Sequence, residues 1–251
     1  MKYNRLKYSL LFVLFLIPVL TFSQRWKFQR AEISAGLGGV NYFGDIGGTA
    51  DESNLLGLKD ISIKFTRPNI NFGGRYRINE RFNVKANLVF GYLEGSDANS
   101  RNASRNYAFS SSIFELSGQL EYSLIPEKQP TRYSIMALRD GLRTFNQTLN
   151  TYVFAGLGGI YFNAKALEDL STSDRFDDSK NFTLVVPVGV GVKYPLNSKI
   201  YVGFELGGRW AASDYLDGLT TKYSNHFDIY YFSLLNVVFK IDTTNPRRFR
   251  F

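Results

Sequence analysis

The stretch Phe182–Trp210 most constrains what this chain can become, because it holds two strictly alternating runs joined by a short polar turn. Phe182, Leu184, Val186, Val188, Val190, Val192 and Tyr194 take every second place in the first run, with Thr183, Val185, Pro187, Gly189, Gly191 and Lys193 between them. After Pro195-Leu196-Asn197-Ser198 the pattern restarts with Ile200, Val202, Phe204, Leu206, Gly208 and Trp210, separated by Tyr201, Gly203, Glu205, Gly207 and Arg209. A period of two assigns each set to one face of a strand. A soluble sheet buries its apolar face, whereas a membrane barrel turns that face to lipid and its polar face to the lumen. Length favours the barrel: about 10 residues at roughly 3.3 Å each, tilted about 40°, rise about 25 Å, the height of an outer-membrane apolar band. Tyr194 and Tyr201 beside the turn, with Phe182 and Trp210 at the far ends, stand where aromatic girdles are expected.

The alternation recurs along the chain. Ile33, Ala35, Leu37 and Gly39 oppose Glu32, Ser34, Gly36 and Gly38. Ile70, Phe72, Tyr76 and Ile78 oppose Asn69, Asn71, Arg75 and Arg77 in a second strand over about 68–78. A third runs from Phe82 to Tyr92 and a fourth from Tyr107 to Leu124; a fifth, Thr151–Phe162, is weaker because both its faces are apolar and glycine-rich. An eighth follows the hairpin over Phe227–Ile241. Eight is the smallest even strand number of outer-membrane barrels, and the connections at Asn79–Arg81 and Pro195–Ser198 are tight where their neighbours are long. The expected architecture is all-β: an eight-stranded antiparallel transmembrane β-barrel over 24–241, both termini periplasmic, with a short periplasmic helical insert. Such a barrel is just filled by its side chains. Glu32, Arg75, Arg77, Lys85, Glu115, Glu121 and Glu205, with Lys193 and Arg209, are expected in the lumen as a paired plug, since unpaired buried charge is costly.

Residues 1–23 have the form of a secretory signal: Lys2, Arg5 and Lys7, then an apolar run from Leu10 to Phe22, then a cleavage point near Ser23 or Gln24. Its removal takes the formal charge from +8 to +5. No later run of 18 apolar residues exists, which excludes helical spans. With no cysteine there is neither a disulfide framework nor a thiolate metal site. The connection 126–150 is long for an inner turn, and within it Ile135, Leu138, Leu142 and Phe145 recur at helical spacing. Such a helix either lies flat against the barrel mouth or inner leaflet, or docks a periplasmic partner. The docking candidates are Arg132, Tyr133, Leu138, Arg139, Leu142, Arg143 and Phe145, together with Arg247, Arg248 and Arg250 of the basic tail 242–251.

Other chemistry is thinly represented. The single histidine, His226, has Ser224, Asp214, Asp217 and Asp228 nearby in sequence, which is poor grounds for a catalytic triad. Asp45, Asp51, Glu52, Asp169, Asp174, Asp177 and Asp178 lack the spacing of a calcium loop. The Gly36-Leu37-Gly38-Gly39 and Gly156-Leu157-Gly158-Gly159 runs open no helix, so they are not phosphate loops. The cations are dispersed over alternate strand positions, which argues against nucleic acid. No cofactor is expected.

Two segments carry more than a pattern. Gly36–Asp45, containing Asn41-Tyr42-Phe43-Gly44-Asp45, and Gly207–Leu219, containing Arg209, Asp214, Tyr215 and Asp217 and continuing to Tyr223, resemble the outer-membrane barrel component of the type IX secretion system, the PorG-like family. That resemblance implies a non-enzymatic barrel in outer-membrane lipid, attached to a periplasmic ring of a lipoprotein and its partner protein and serving export and gliding. The alternatives from residue pattern are a small barrel acting as a surface adhesin or envelope-stability protein through its outer loops, and a lipid-modifying barrel enzyme using His226. Asn41, Tyr42, Gly44, Asp45, Arg209, Asp214, Tyr215, Asp217 and Tyr223 are read as a structural rim motif. In it Arg209 and Tyr215 or Tyr223 satisfy the aspartates as a clasp; a ligand-binding rim is the other reading.

Overall fold

Each alternating run becomes a strand. In chain order these are β1 (Ala31–Phe43), β2 (Arg67–Arg77), β3 (Phe82–Ser96), β4 (Tyr107–Ile125), β5 (Asn150–Glu168), β6 (Phe182–Pro195), β7 (Ile200–Ala211) and β8 (Ile229–Ile241). Every strand pairs antiparallel with its chain neighbour, and β1 closes on β8 from Ala31 opposite Ile241 to Phe43 opposite Ile229. The computed structural model describes residues 30–44, 46, 65–99, 103–127, 149–173, 176, 179–197, 199–213, 215–219 and 228–241. The signal segment, the tail and the helix expected over 133–145 lie outside these. Among the described residues there is no α-helix, and the 3₁₀ turns include Asp97–Asn99, Ala103–Arg105 and Asp169–Thr172. We call the end where β1 begins and β8 finishes the terminal end, and the opposite one the loop end.

The polarity is inverted, as the alternation requires. Leu37, Phe182, Leu184, Val190 and Leu235 are more than half exposed, while Glu32, Lys85, Glu115, Glu121 and Arg209 are almost fully buried. Rings gather at two levels of the exterior. Phe82 packs on Tyr122 at 5.0 Å near the terminal end, and Phe90 on Phe114 at 4.7 Å farther up. The ten residue steps from Phe82 to Tyr92 rise about 25 Å at ordinary strand rise and tilt, so the exterior is that of a membrane-spanning barrel. Tyr201 departs from the expected girdle. It shares a face with Glu205 and Arg209 and points into the lumen, while Tyr194 across the hairpin faces outward.

The wall is uneven in height. β5 continues six residues past the expected Phe162, and β3 reaches Ser96 where Tyr92 was expected to end it. Tyr107 pairs with Glu168 and Ala108 with Ser96, so β3, β4 and β5 stand above their neighbours as a three-stranded wall. Inside, Gly191 makes the room that β5 needs: a Cβ there would lie 2.4 Å from the Tyr152 ring. Alternation alone shows a glycine on the lumen face, not which ring it accommodates.

Candidate functional site, a lumen in two halves

At the terminal end the strands bring their inward charges into one cluster. Arg75 of β2 is its hub. It lies 3.1 Å from Glu32 of β1, 2.7 Å from Glu121 of β4 and 3.5 Å from Glu205 of β7, and donates to the Tyr152 hydroxyl at 3.1 Å. Lys85 donates to both Glu205 oxygens at 2.7 and 2.8 Å, and Tyr152 donates to the same carboxylate at 2.6 Å. Lys193 donates to both oxygens of Glu32 at 3.0 and 2.9 Å. Low dielectric makes each bond strong and makes any unpaired member costly, so the cluster is stable only as a set.

One member does not come from the wall. Glu127 lies two residues beyond β4, and its side chain is only 5 % exposed. Arg77 donates to it at 2.7 Å, Lys193 sits 3.6 Å away, and Lys240 and the Tyr201 hydroxyl both donate to its other oxygen. Burial alone pushes this carboxyl up, but Lys193, Lys240 and Arg77 outweigh it and hold Glu127 well below the usual carboxylate range.

The loop half of the lumen is different in kind. Val89, Leu93, Phe109, Ile113, Ile160, Phe162, Val185, Phe232 and Leu234 fill it from the wall, and Ile46, Leu170, Leu216 and Leu219 enter from the loops above. This is a dry core inside a barrel, and it explains why β5 shows apolar residues on both faces. At its lower border Tyr230 donates to Glu115 at 2.8 Å, with Arg209 3.7 Å from that carboxylate and stacked 4.5 Å over Phe232. The charges expected in the lumen all lie in the terminal half or in this pair, and the filling above them is chiefly apolar. Among the described residues the terminal half is filled by paired charge and the upper half chiefly by hydrocarbon.

The rim motif is rearranged relative to expectation. Arg209 is the partner of Glu115, not of a rim aspartate, because its β7 position faces the lumen opposite Pro187. Asp228 is one carboxylate that ties the rim: Tyr42 donates to it at 2.6 Å, and the Leu216 amide at 3.0 Å. Asp217 caps the Leu219 amide at 2.9 Å, and the turn passes through Gly218 at φ 73°, where a Cβ would meet the Phe176 ring at 2.4 Å. Asn41 accepts from Thr66 at 2.7 Å. Tyr215 lies under Lys180, whose amine is 3.9 Å from the ring centre. The described part of the rim thus keeps Tyr42 and Asp217 from the expected motif and adds Asp228. Asp45, Asp214 and Tyr223 lie outside the described residues, as do His226 and the docking candidates Arg132, Tyr133, Leu138, Arg139, Leu142, Arg143, Phe145, Arg247, Arg248 and Arg250. Asp228 was findable once β1 is laid against β8, since Phe43 then faces Ile229 and Tyr42 comes beside its predecessor. Glu127 belongs to no alternation and left no signal.

A family model described as "Domain of unknown function (DUF6089)" matches residues 9–239. None of the curated proteins matches the chain. Among solved structures, the chain is similar to Neisserial surface protein A, at 11 % identity over 84 % of this chain and 97 % of that one, with a TM-score of 0.45. It is similar also to the outer membrane protein OprG from Pseudomonas aeruginosa, at 11 % identity over 86 % and 97 %, with a TM-score of 0.42. The Yersinia pestis attachment invasion locus protein Ail, solved with a heparin analogue, aligns at 12 % identity over 84 % and 99 %, with a TM-score of 0.38.

Proposed function

The chain belongs to the DUF6089 family, and from that premise we propose that it is a non-enzymatic outer-membrane barrel of the type IX secretion and gliding machinery, anchoring the periplasmic lipoprotein ring to the membrane. Its termini and short turns face the periplasm in this reading, and the loop end faces outward. The observation that supports anchoring over transport is Glu127. The chain leaving β4 is fastened at once into the terminal mouth, so whatever follows is presented from a fixed point on a filled barrel. The segments Gly36–Asp45 and Gly207–Tyr223, which resemble the secretion barrel, support the narrower assignment. Deleting Tyr133–Phe145 tests it. Ring lipoprotein should no longer co-purify with the barrel while the barrel still reaches the outer membrane; undiminished co-purification sinks the reading.

A second reading, a surface adhesin or envelope-stability protein, is favoured by the raised β3–β5 wall with its folded 3₁₀ turns. There Arg105 is paired with the buried Asp97, and Tyr107 bonds Ser173 at 3.2 Å. For such a protein, replacing the 97–105 turn should abolish surface attachment and leave secretion untouched.

A further inference from the structure

We propose that the terminal mouth of the barrel is a carboxylate-binding site with Glu127 as its tethered occupant, and that an acidic side chain of a periplasmic partner takes the same seat when Glu127 leaves it. The seat is built entirely by the wall. Arg77 comes from β2, Lys193 from β6, Tyr201 from β7 and Lys240 from β8, and all four are buried. The occupant comes from elsewhere, two residues past the end of β4.

The cations do not depend on each other's wall carboxylates equally. Arg75, Lys85 and Lys193 have close contacts to Glu32, Glu121 or Glu205. Arg77 and Lys240 have only long ones, 3.8 and 4.0 Å to Glu32. Without Glu127, then, two buried cations at the mouth face only one distant and already shared carboxylate. Strand geometry fixes them in position, so the seat is preorganised for an anion, and preorganisation lowers the cost of binding one.

The donors also read the shape of a carboxylate. One oxygen of Glu127 takes Arg77 at 2.7 Å with Lys193 behind it at 3.6 Å, and the other takes Lys240 and the Tyr201 hydroxyl. Tyr201 in turn accepts from Lys240 at 2.9 Å, which aims its own proton at the carboxylate. A planar group with two oxygens reaches both donor sets at once, whereas a single chloride centred on one set is left distant from the other. A fixed receptor filled by a separate segment can exchange its occupant. That the partner is periplasmic rests on the topology proposed above, but the test needs nothing from that reading, because it uses the isolated protein.

The experiment is chemical rescue. Glu127→Ala is purified in detergent and its thermal midpoint followed at neutral pH in acetate, phosphate or chloride at equal ionic strength. The midpoint should fall relative to the unsubstituted protein, and acetate should raise it along a saturating curve that chloride does not reproduce. The unsubstituted protein, its seat occupied, should show no acetate-specific shift, and Lys240→Ala added to Glu127→Ala should abolish the rescue. If Glu127→Ala fails to refold in chloride, the refolding yield against acetate reads the same binding. Acetate and chloride acting alike in Glu127→Ala would overturn the site, and phosphate outperforming acetate would overturn its carboxylate preference. Hexaglutamate should rescue at lower concentration than acetate; a peptide no better than acetate would overturn the partner's role.

Discussion

At the terminal end one arginine is shared by three carboxylates, while toward the loop end of the same barrel Phe109, Phe162 and Phe232 fill the bore with hydrocarbon. The diameter and the strands are common to both halves, so the chemistry of the filling is free to differ. Ionic filling demands exact partners, and all but one of those come from the wall. Hydrocarbon filling demands volume, and part of that volume comes from loops through Ile46, Leu170, Leu216 and Leu219. The terminal half therefore lacks only Glu127 once the barrel closes. The loop half is complete only when the loops have folded into it.

Removing Arg75 should give the largest effect. It leaves Glu32, Glu121 and Glu205 short of their shared cation inside a barrel, and breaking a buried ionic set in this way costs about 3–5 kcal/mol. Denaturant unfolding of Arg75→Ala in detergent measures it; a loss under about 1 kcal/mol would show that the cluster is wet and loosely coupled. Leu216→Ala should come next at about 2–3 kcal/mol, the low end for a buried leucine because a loop can settle into the space. Its signature separates the halves: faster proteolysis at the loop end while the terminal cluster is unchanged. Asp228→Asn should cost about 1–2 kcal/mol by weakening the bonds from Tyr42 and the Leu216 amide, and it should loosen the same loop.

Acid should act on the terminal half first. Glu127 has a folded pKa below its unfolded value, so its contribution is full above the ordinary carboxylate range and is lost as pH falls through that range toward the folded value. Arg77, Lys193, Lys240, Tyr201 and Glu32 are the groups that face it. Stability should be flat from neutral pH down to about pH 5 and decline below it, with a shallower decline in Glu127→Gln. An unchanged slope in that variant would assign the acid limb to other carboxylates.

The barrel was legible in the sequence because lipid outside and charge inside write a period of two on every strand. Even the weak strand Thr151–Phe162 was found, and its weakness was the trace of the apolar upper lumen, a trace that periodicity alone could not interpret. The identities of the lumen charges were legible for the same reason, since Glu32, Arg75, Lys85, Glu121 and Glu205 all fall in the minority set of their strands. Partnership was not. Which carboxylate meets Arg209, or that Tyr201 holds Glu127, depends on contacts across strands distant in sequence, whereas the inward direction of Tyr201 follows from its place in the set of Glu205 and Arg209. Asp228 and Glu127 sit just outside strands, where no alternation marks a residue as buried.

The smallest effect sharpens the contrast between places more than between halves. Arg67 and Glu94 form a pair with the same chemistry as Arg75 and Glu121, but their side chains remain 34 % and 27 % exposed. Water competes for both groups, and ordering two long side chains offsets most of the attraction. Arg67→Ala should therefore change unfolding by roughly 0–1 kcal/mol, and what it removes should shrink further as salt is raised. Arg75→Ala should depend far less on salt, because its partners are buried and buried pairs are screened much less than exposed ones. A salt-dependent cost at Arg75, or a large and salt-independent one at Arg67, would mean that position along the lumen, rather than enclosure by the wall, governs how much an ion pair contributes here.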